Sequence, residues 1–215
     1  MDSKKICFIM CVNDWDYANE ALYFIRRLIV PNDYSVDVLT VEKATSMTAG
    51  YNEAMRASDA KYKVYLHQDV MIVEQNFIQY MLDCFQNERI GMLGMAGAPT
   101  LDESKVMWNC KRVGRIYNGN VYGMKDWLIG EVDGAYQKVE AIDGLLMATQ
   151  YDIPWREDVF RRWDFYDVSQ SFEFRKEGYD VVVPHMDRPW CIHDDGFMNL
   201  KYYYEERNKL LQEYN

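Results

Sequence analysis

Lys63-Val64-Tyr65-Leu66-His67-Gln68-Asp69 is the stretch on which the fold turns. A short run rich in branched and aromatic residues passes without a break into a polar, acidic step. That is the pattern of a buried strand that stops at its carboxyl end beside a turn. Upstream, Gly50 to Ser58 reads as a short helix, and Tyr34 to Val41 alternates apolar and polar as a second strand. Before these, Ala18, Leu22, Ile25 and Ile29 recur at helical spacing, so a helix is predicted over 15–29, capped by Asp14 and stopped before Pro31. Residues 5–12 form the first apolar strand and end at Asn13-Asp14. Downstream, Phe77, Met81, Cys84 and Phe85 mark a helix over about 74–86, and Ile90 to Ala96 is a further strand.

Strands and helices in this alternation predict an α/β fold with a mainly parallel central sheet flanked by helices. Such sheets bind ligands beyond the carboxyl ends of their strands. Here those ends carry Asn13-Asp14, Glu42 and His67-Gln68-Asp69. Residues 98–138 differ, being rich in Gly, Asn and Trp with no helical period, and they read as an excursion over the binding edge. Within it, Arg115 to Tyr122 has the look of a small hairpin around Asn118-Gly119. Its aromatics Trp108, Tyr117, Tyr122 and Trp127 suit packing on the core or stacking on sugar faces. Val139 to Ala148 is a core strand broken by Asp143-Gly144, the mark of a bulge or of a close backbone approach. A helix follows over 167–177 and ends at Gly178, then a strand over 180–183. A last helix over 197–213 has Leu200, Tyr204 and Leu211 on one face.

At 215 residues the chain suits one domain, divided into 1–97, 98–196 and a final helix at 197–215. The net charge of -10 disfavours nucleic acid and anionic membrane, and Lys111 to Arg115 is too short a basic stretch to reverse that. No apolar run reaches the roughly 18 residues of a membrane span. Five cysteines with no CxxC pair point to reduced thiols and a cytoplasmic setting. GxGxxG, GxxxxGK[ST] and GxSxG are all absent, which disfavours Rossmann and P-loop phosphate cradles and a serine nucleophile.

Three groups carry candidate chemistry. Asp69, at a strand end, is placed to hold a hard divalent cation by oxygen, although a lone carboxylate there is more often a turn residue. Asp167, opening a helix after Trp163-Asp164-Phe165-Tyr166, is either a cap or a general base. Cys191-Ile192-His193-Asp194-Asp195-Gly196 reads as a polar loop. A zinc site drawing on Cys110, His185, Cys191 and His193 has no finger or ribbon spacing.

In order and spacing these elements resemble the family 2-like glycosyltransferases of GT-A fold, and within them the bacterial glycosyltransferase-like branch with His-Gln-Asp in place of Asp-x-Asp. The resemblance covers about residues 5–196. It rests on Asn13-Asp14, on Tyr51-Asn52-Glu53-Ala54 before His67-Gln68-Asp69, on Asp143-Gly144 before an apolar strand, and on Asp164-Phe165-Tyr166-Asp167 before Gly178 and His193. It implies a hexosyltransferase-type enzyme using a nucleotide-diphosphate sugar, an Mn²⁺ or Mg²⁺ ion, and a glycan or glycolipid acceptor, with inversion. Under it Asn13, Glu42, Asn52, His67, Asp143 and Gly144 contact the donor, Asp69 and His193 hold the metal, and Asp167 activates the acceptor. It is compatible with a homodimer and with peripheral attachment at the inner membrane face. Three departures stand out: His67 for the first acid, Tyr166 for a Glu before the base, and a single acid at Glu42. A degenerate domain that binds nucleotide or glycan without transfer is the alternative they raise.

Overall fold

The first three strands lie side by side, as their apolar runs require. In the computed structural model, which describes residues 1–194, 196 and 200–214, β1 (Asp2–Val12) is followed by α1 (Trp15–Ile25), β2 (Ser35–Glu42), α2 (Met47–Ala57) and β3 (Ala60–Leu66). β1 pairs in parallel with β2 on one side and β3 on the other. Ile6, Phe8, Ile9 and Met10 of β1 are wholly buried. Each such side chain is worth about 1.5–3 kcal/mol of burial.

After β4 (Val70–Ile72), α3 (Phe77–Phe85), β5 (Ile90–Gly94) and β6 (Ala96–Ala98) comes a long hairpin, β7 (Val113–Asn120) and β8 (Gly123–Gly130). Then follow β9 (Tyr136–Lys138), β10 (Ala141–Ile142), β11 (Leu146–Thr149), α4 (Tyr166–Lys176), β12 (Asp180–Pro184), β13 (Cys191–Asp194) and α5 (Tyr203–Glu213). Among the described residues the central sheet runs β2-β1-β3-β11-β5-β12-β9. It is mixed: β11 enters antiparallel between β3 and β5, and β9 pairs antiparallel with β12. A second sheet runs β10-β6-β7-β13-β4, with β8 on β7. The 98–138 excursion thus supplies β7 and β8 to this second sheet and β9 to the central one.

Several predicted boundaries move for visible reasons. α1 stops at Ile25 because the next amides tighten: Arg27 N–H bonds Phe24 O and Leu28 N–H bonds Ile25 O, three residues back. Leu28 is buried and Ile29, expected on the apolar face, is 53% exposed. Asp14 does cap the helix, accepting from Asp16 N–H. The hairpin turns at Val121-Tyr122, not at Asn118-Gly119. Asn118 and Gly119 are held in the ladder by His193 and Asp194 of β13, while Asn120 accepts from Tyr122 N–H and Gly123 takes φ +124°. α5 turns Glu206 and Leu210 inward, so Leu200 and Tyr204 are exposed and the predicted apolar face is wrong; 197–199 of that predicted helix lie outside the described residues. The break at Asp143-Gly144 is real. There the chain leaves β10 in one sheet and enters β11 in the other.

Candidate active site

The parallel register aligns the carboxyl ends of the first strands: Val12 stands opposite Glu42, and Ile9 opposite Tyr65. One side chain ties two of these ends together. Gln68 Oε1 accepts the N–H groups of Asn13 and Asp14, both at 3.0 Å, and Gln68 Nε2 donates to Asn13 Oδ1 at 2.6 Å. Glu42 is exposed at the end of β2.

Beyond Gln68 the chain turns, with Val70 N–H on His67 O, and enters β4. β4 pairs antiparallel with β13, placing His193 opposite Val70, and Asp194 N–H donates to Asp69 O. This ladder joins distant parts of the sequence. His67 Nδ1 and His193 Nε2 lie 3.9 and 3.8 Å from Asp69 Oδ1, and one ligand atom from each residue falls within 4.8 Å of the others. Asp69 Oδ1 is buried without a hydrogen-bond partner. A buried carboxylate oxygen left unpaired costs about 1–3 kcal/mol or more, so its retention favours a cation as the missing partner. One ion at about 2.1 Å from three such donors needs donor separations near 3.0–3.5 Å, so the 3.8 and 3.9 Å separations would each close by about 0.3–0.9 Å on binding. These three residues therefore fit a divalent metal. Sequence reasoning gave His67 to the donor; the geometry sets it with Asp69 and His193. Cys191, a member of the weaker zinc set, is buried in the core instead.

Asp167 occupies the first turn of α4 but does not cap it. The preceding Phe165 is left-handed at φ 58°, and the helix start carries no side-chain cap. Instead Asp167 Oδ1 accepts Val168 N–H at 2.8 Å and Oδ2 accepts Gly144 N–H at 3.0 Å. Burial, and then the neighbouring Asp143 charge, push its carboxyl up from 3.8 to about 7, against the pull of those amides. Asp143 is itself held by Leu145 N–H at 2.9 Å and by the Trp108 indole N–H at 2.8 Å. Trp108 stacks on Trp127, with centroids 5.7 Å apart and both rings more than a third exposed.

Tyr166 links the two groups. Its hydroxyl lies 2.5 Å from His67 Nε2. Burial and the nearby Tyr51, Asp167 and Asp143 hold it well above the ordinary phenol range, so it stays a neutral phenol. A Cβ on Gly144 would collide with that hydroxyl, so glycine is what admits it. The sequence signal for this was the Asp143-Gly144 step itself. Gln68 and Tyr166 are the residues sequence reasoning left without a role. Asn52, expected on the donor, is corrected: it is 2% exposed, and its amide donates to Trp155 O and accepts from Trp155 N–H. It latches α2 to the segment before α4. A cleft of about 430 Å³ lies elsewhere, lined by Lys138, Glu140, Arg175 and Asp180 among others. Its charges pair internally, Lys138 with Asp180 and Arg175 with Glu140.

A family model described as "Glycosyltransferase like family" matches residues 7–214. No curated protein matches the chain. Among solved structures, the mannosyltransferase PcManGT from Pyrobaculum calidifontis, in complex with GDP-Man and Mn²⁺, superposes with TM-score 0.58 at 13% identity. That match covers 96% of this chain and 60% of that one. TarS of S. aureus, residues 1–349, gives TM-score 0.60 at 10% identity over 94% of this chain and 63% of that one. The same TarS fragment in complex with UDP-GlcNAc gives 0.57 at 9% identity over 94% and 64%. At these identities the likeness establishes the GT-A fold, and the chain spans less than two thirds of each of these proteins. Among the described residues no helix is long and apolar enough to cross a membrane.

Proposed function

The chain belongs to the glycosyltransferase-like family, and we propose that it transfers a sugar from a nucleotide-diphosphate donor to a hydroxyl of a glycan or glycolipid acceptor, with inversion at the anomeric carbon. The observation that carries this reading is the pairing, across the single residue Gly144, of a His67–Asp69–His193 group with a carboxylate at Asp167 raised to about 7.

In this reading Asn13 and Glu42 meet the nucleotide at the strand ends, and Gln68 fixes the backbone that presents Asn13. His67, Asp69 and His193 would hold the divalent ion, which when bound would supply positive charge against the negative charge developing on the leaving diphosphate. Two imidazoles with one carboxylate suit Mn²⁺ better than Mg²⁺, which prefers an all-oxygen shell. Asp167 takes the proton of the acceptor hydroxyl as it attacks the anomeric carbon. A pKa near the working pH serves that task, since the ionised form is then both populated and basic. Gly144 N–H holds the receiving carboxylate in place. Asp143 raises its proton affinity and, through the indole of Trp108, anchors an aromatic wall on which an acceptor sugar can stack.

A thermal-shift panel of UDP-, GDP-, CDP- and dTDP-linked sugars tests this, each with and without Mn²⁺, on the intact protein and on Asp69→Ala. The expected result is a shift with one nucleotide that requires Mn²⁺ and is lost in the variant. No shift with any donor would remove the nucleotide-sugar reading.

A further inference from the structure

We propose that Tyr166 is the positioning residue of the metal group: its hydroxyl accepts the Nε2 proton of His67 and so turns the Nδ1 lone pair of that ring toward Asp69 and His193. This rests on the metal reading above. The ring of Tyr166 is accounted for by packing, with Tyr51 and Trp155 at centroid distances of 6.0 and 6.1 Å. A phenylalanine would pack equally well there. The hydroxyl is not accounted for that way. It lies against His67 Nε2, in space that exists because residue 144 has no side chain.

The proton bookkeeping then follows. A neutral imidazole carries one N–H, and the nitrogen that binds a metal must offer its lone pair. His67 Nδ1 faces Asp69 Oδ1 at 3.9 Å, so ligation through Nδ1 requires the proton on Nε2. Nε2–H in turn needs an acceptor, and Tyr166 Oη is within hydrogen-bond distance of it. Such an outer partner fixes both tautomer and ring orientation, and losing one typically costs about 10–100-fold in metal affinity.

The test uses the full chain. Mn²⁺ affinity is measured by electron paramagnetic resonance for wild type, Tyr166→Phe and Tyr51→Phe. The tautomer of His67 in wild type is read from long-range ¹⁵N–¹H NMR spectra with Zn²⁺ added. Tyr51, whose hydroxyl reaches Leu66 O at 3.4 Å, controls for loss of a buried hydroxyl in the same aromatic cluster. Expected are a Kd for Mn²⁺ about 10-fold weaker or worse in Tyr166→Phe, little change in Tyr51→Phe, and a wild-type His67 protonated at Nε2 with Nδ1 ligated. Unchanged affinity in Tyr166→Phe, equal losses in the two variants, or ligation through Nε2 would overturn the proposal alone. The NMR result decides it even if Tyr166→Phe does not fold. Wild-type protein that binds no Mn²⁺ overturns this proposal and the metal reading together.

Discussion

Replacing Asp167 with Asn should make the protein more stable at alkaline pH than at acid pH, relative to wild type. The Asp167 carboxyl is raised from 3.8 to about 7 in the folded chain. Between those values the unfolded chain releases the proton and the folded chain keeps it, so each step up in pH favours unfolding. The contribution is intact below 3.8, falls through the window, and is fully lost above about 7. Integrated, the wild-type penalty grows by about 2–3 kcal/mol between pH 5 and pH 8. Asn at 167 carries no such term. It has its own cost, because its amide offers one acceptor oxygen where the carboxylate offers two, leaving Gly144 or Val168 N–H unpaired. That cost is about 1–3 kcal/mol and does not change with pH. It therefore cancels in the comparison, and the variant should gain about 2–3 kcal/mol on wild type between pH 5 and pH 8. Urea unfolding of both proteins at the two pH values measures this directly. A difference that stays constant within about 0.5 kcal/mol, or that moves the other way, refutes the raised carboxyl. In the same buffers wild-type kcat/KM should climb through about pH 7, and Asp167→Asn should lose turnover while still binding donor.

Asp69→Asn should abolish Mn²⁺ binding yet leave the metal-free protein as stable as wild type or a few degrees more so by calorimetry, because the buried Oδ1 has no hydrogen bond to lose. Gln68→Ala removes three hydrogen bonds to Asn13 and Asp14. It should weaken nucleotide binding several-fold by isothermal titration calorimetry and leave Mn²⁺ affinity in place, at a stability cost of about 1 kcal/mol. Asp152→Ala is a stability control far from the chemistry. The Lys63 side chain is wholly buried and pairs with Asp152 at 2.8 Å, so losing the acid strands a cation and should cost about 3–5 kcal/mol in a urea titration.

The strands of the first half were legible because each is a short apolar run closed by polar residues, and such runs have few other ways to be buried. Their order implied that Asn13, Glu42 and His67-Gln68-Asp69 would share an edge, and parallel register makes that so. What local pattern could not supply was pairing between distant segments. Nothing near His193 announces that its strand lies on β4 and brings the ring to Asp69. Asn52 shows the converse limit. A buried asparagine spent on backbone and an asparagine aimed at a nucleotide read alike in sequence, and only the bonds to Trp155 separate them. The hairpin failed for a related reason: Asn118-Gly119 has turn chemistry, but β13 holds both residues in a ladder.

The two halves of the site make opposite electrostatic demands. As the proposed base, Asp167 needs a surrounding that resists charge, or its proton affinity falls to that of an ordinary carboxylate. As the proposed metal ligand, Asp69 needs a cation, which would meet a buried oxygen that has no hydrogen-bond partner. A cation bound at Asp69 would act against burial and the Asp143 charge, which raise the Asp167 carboxyl. The Gly144 peptide stands between them. Its N–H is spent on Asp167, and its bare Cα lets the neutral Tyr166 hydroxyl reach His67. The break between β10 and β11 places this peptide where the two sheets diverge, because a residue inside either ladder would have its N–H committed to a neighbouring strand. The interruption of an otherwise apolar strand therefore frees one N–H for Asp167 and one bare Cα for the Tyr166 hydroxyl, the two contacts on which the proposed base and metal group rest.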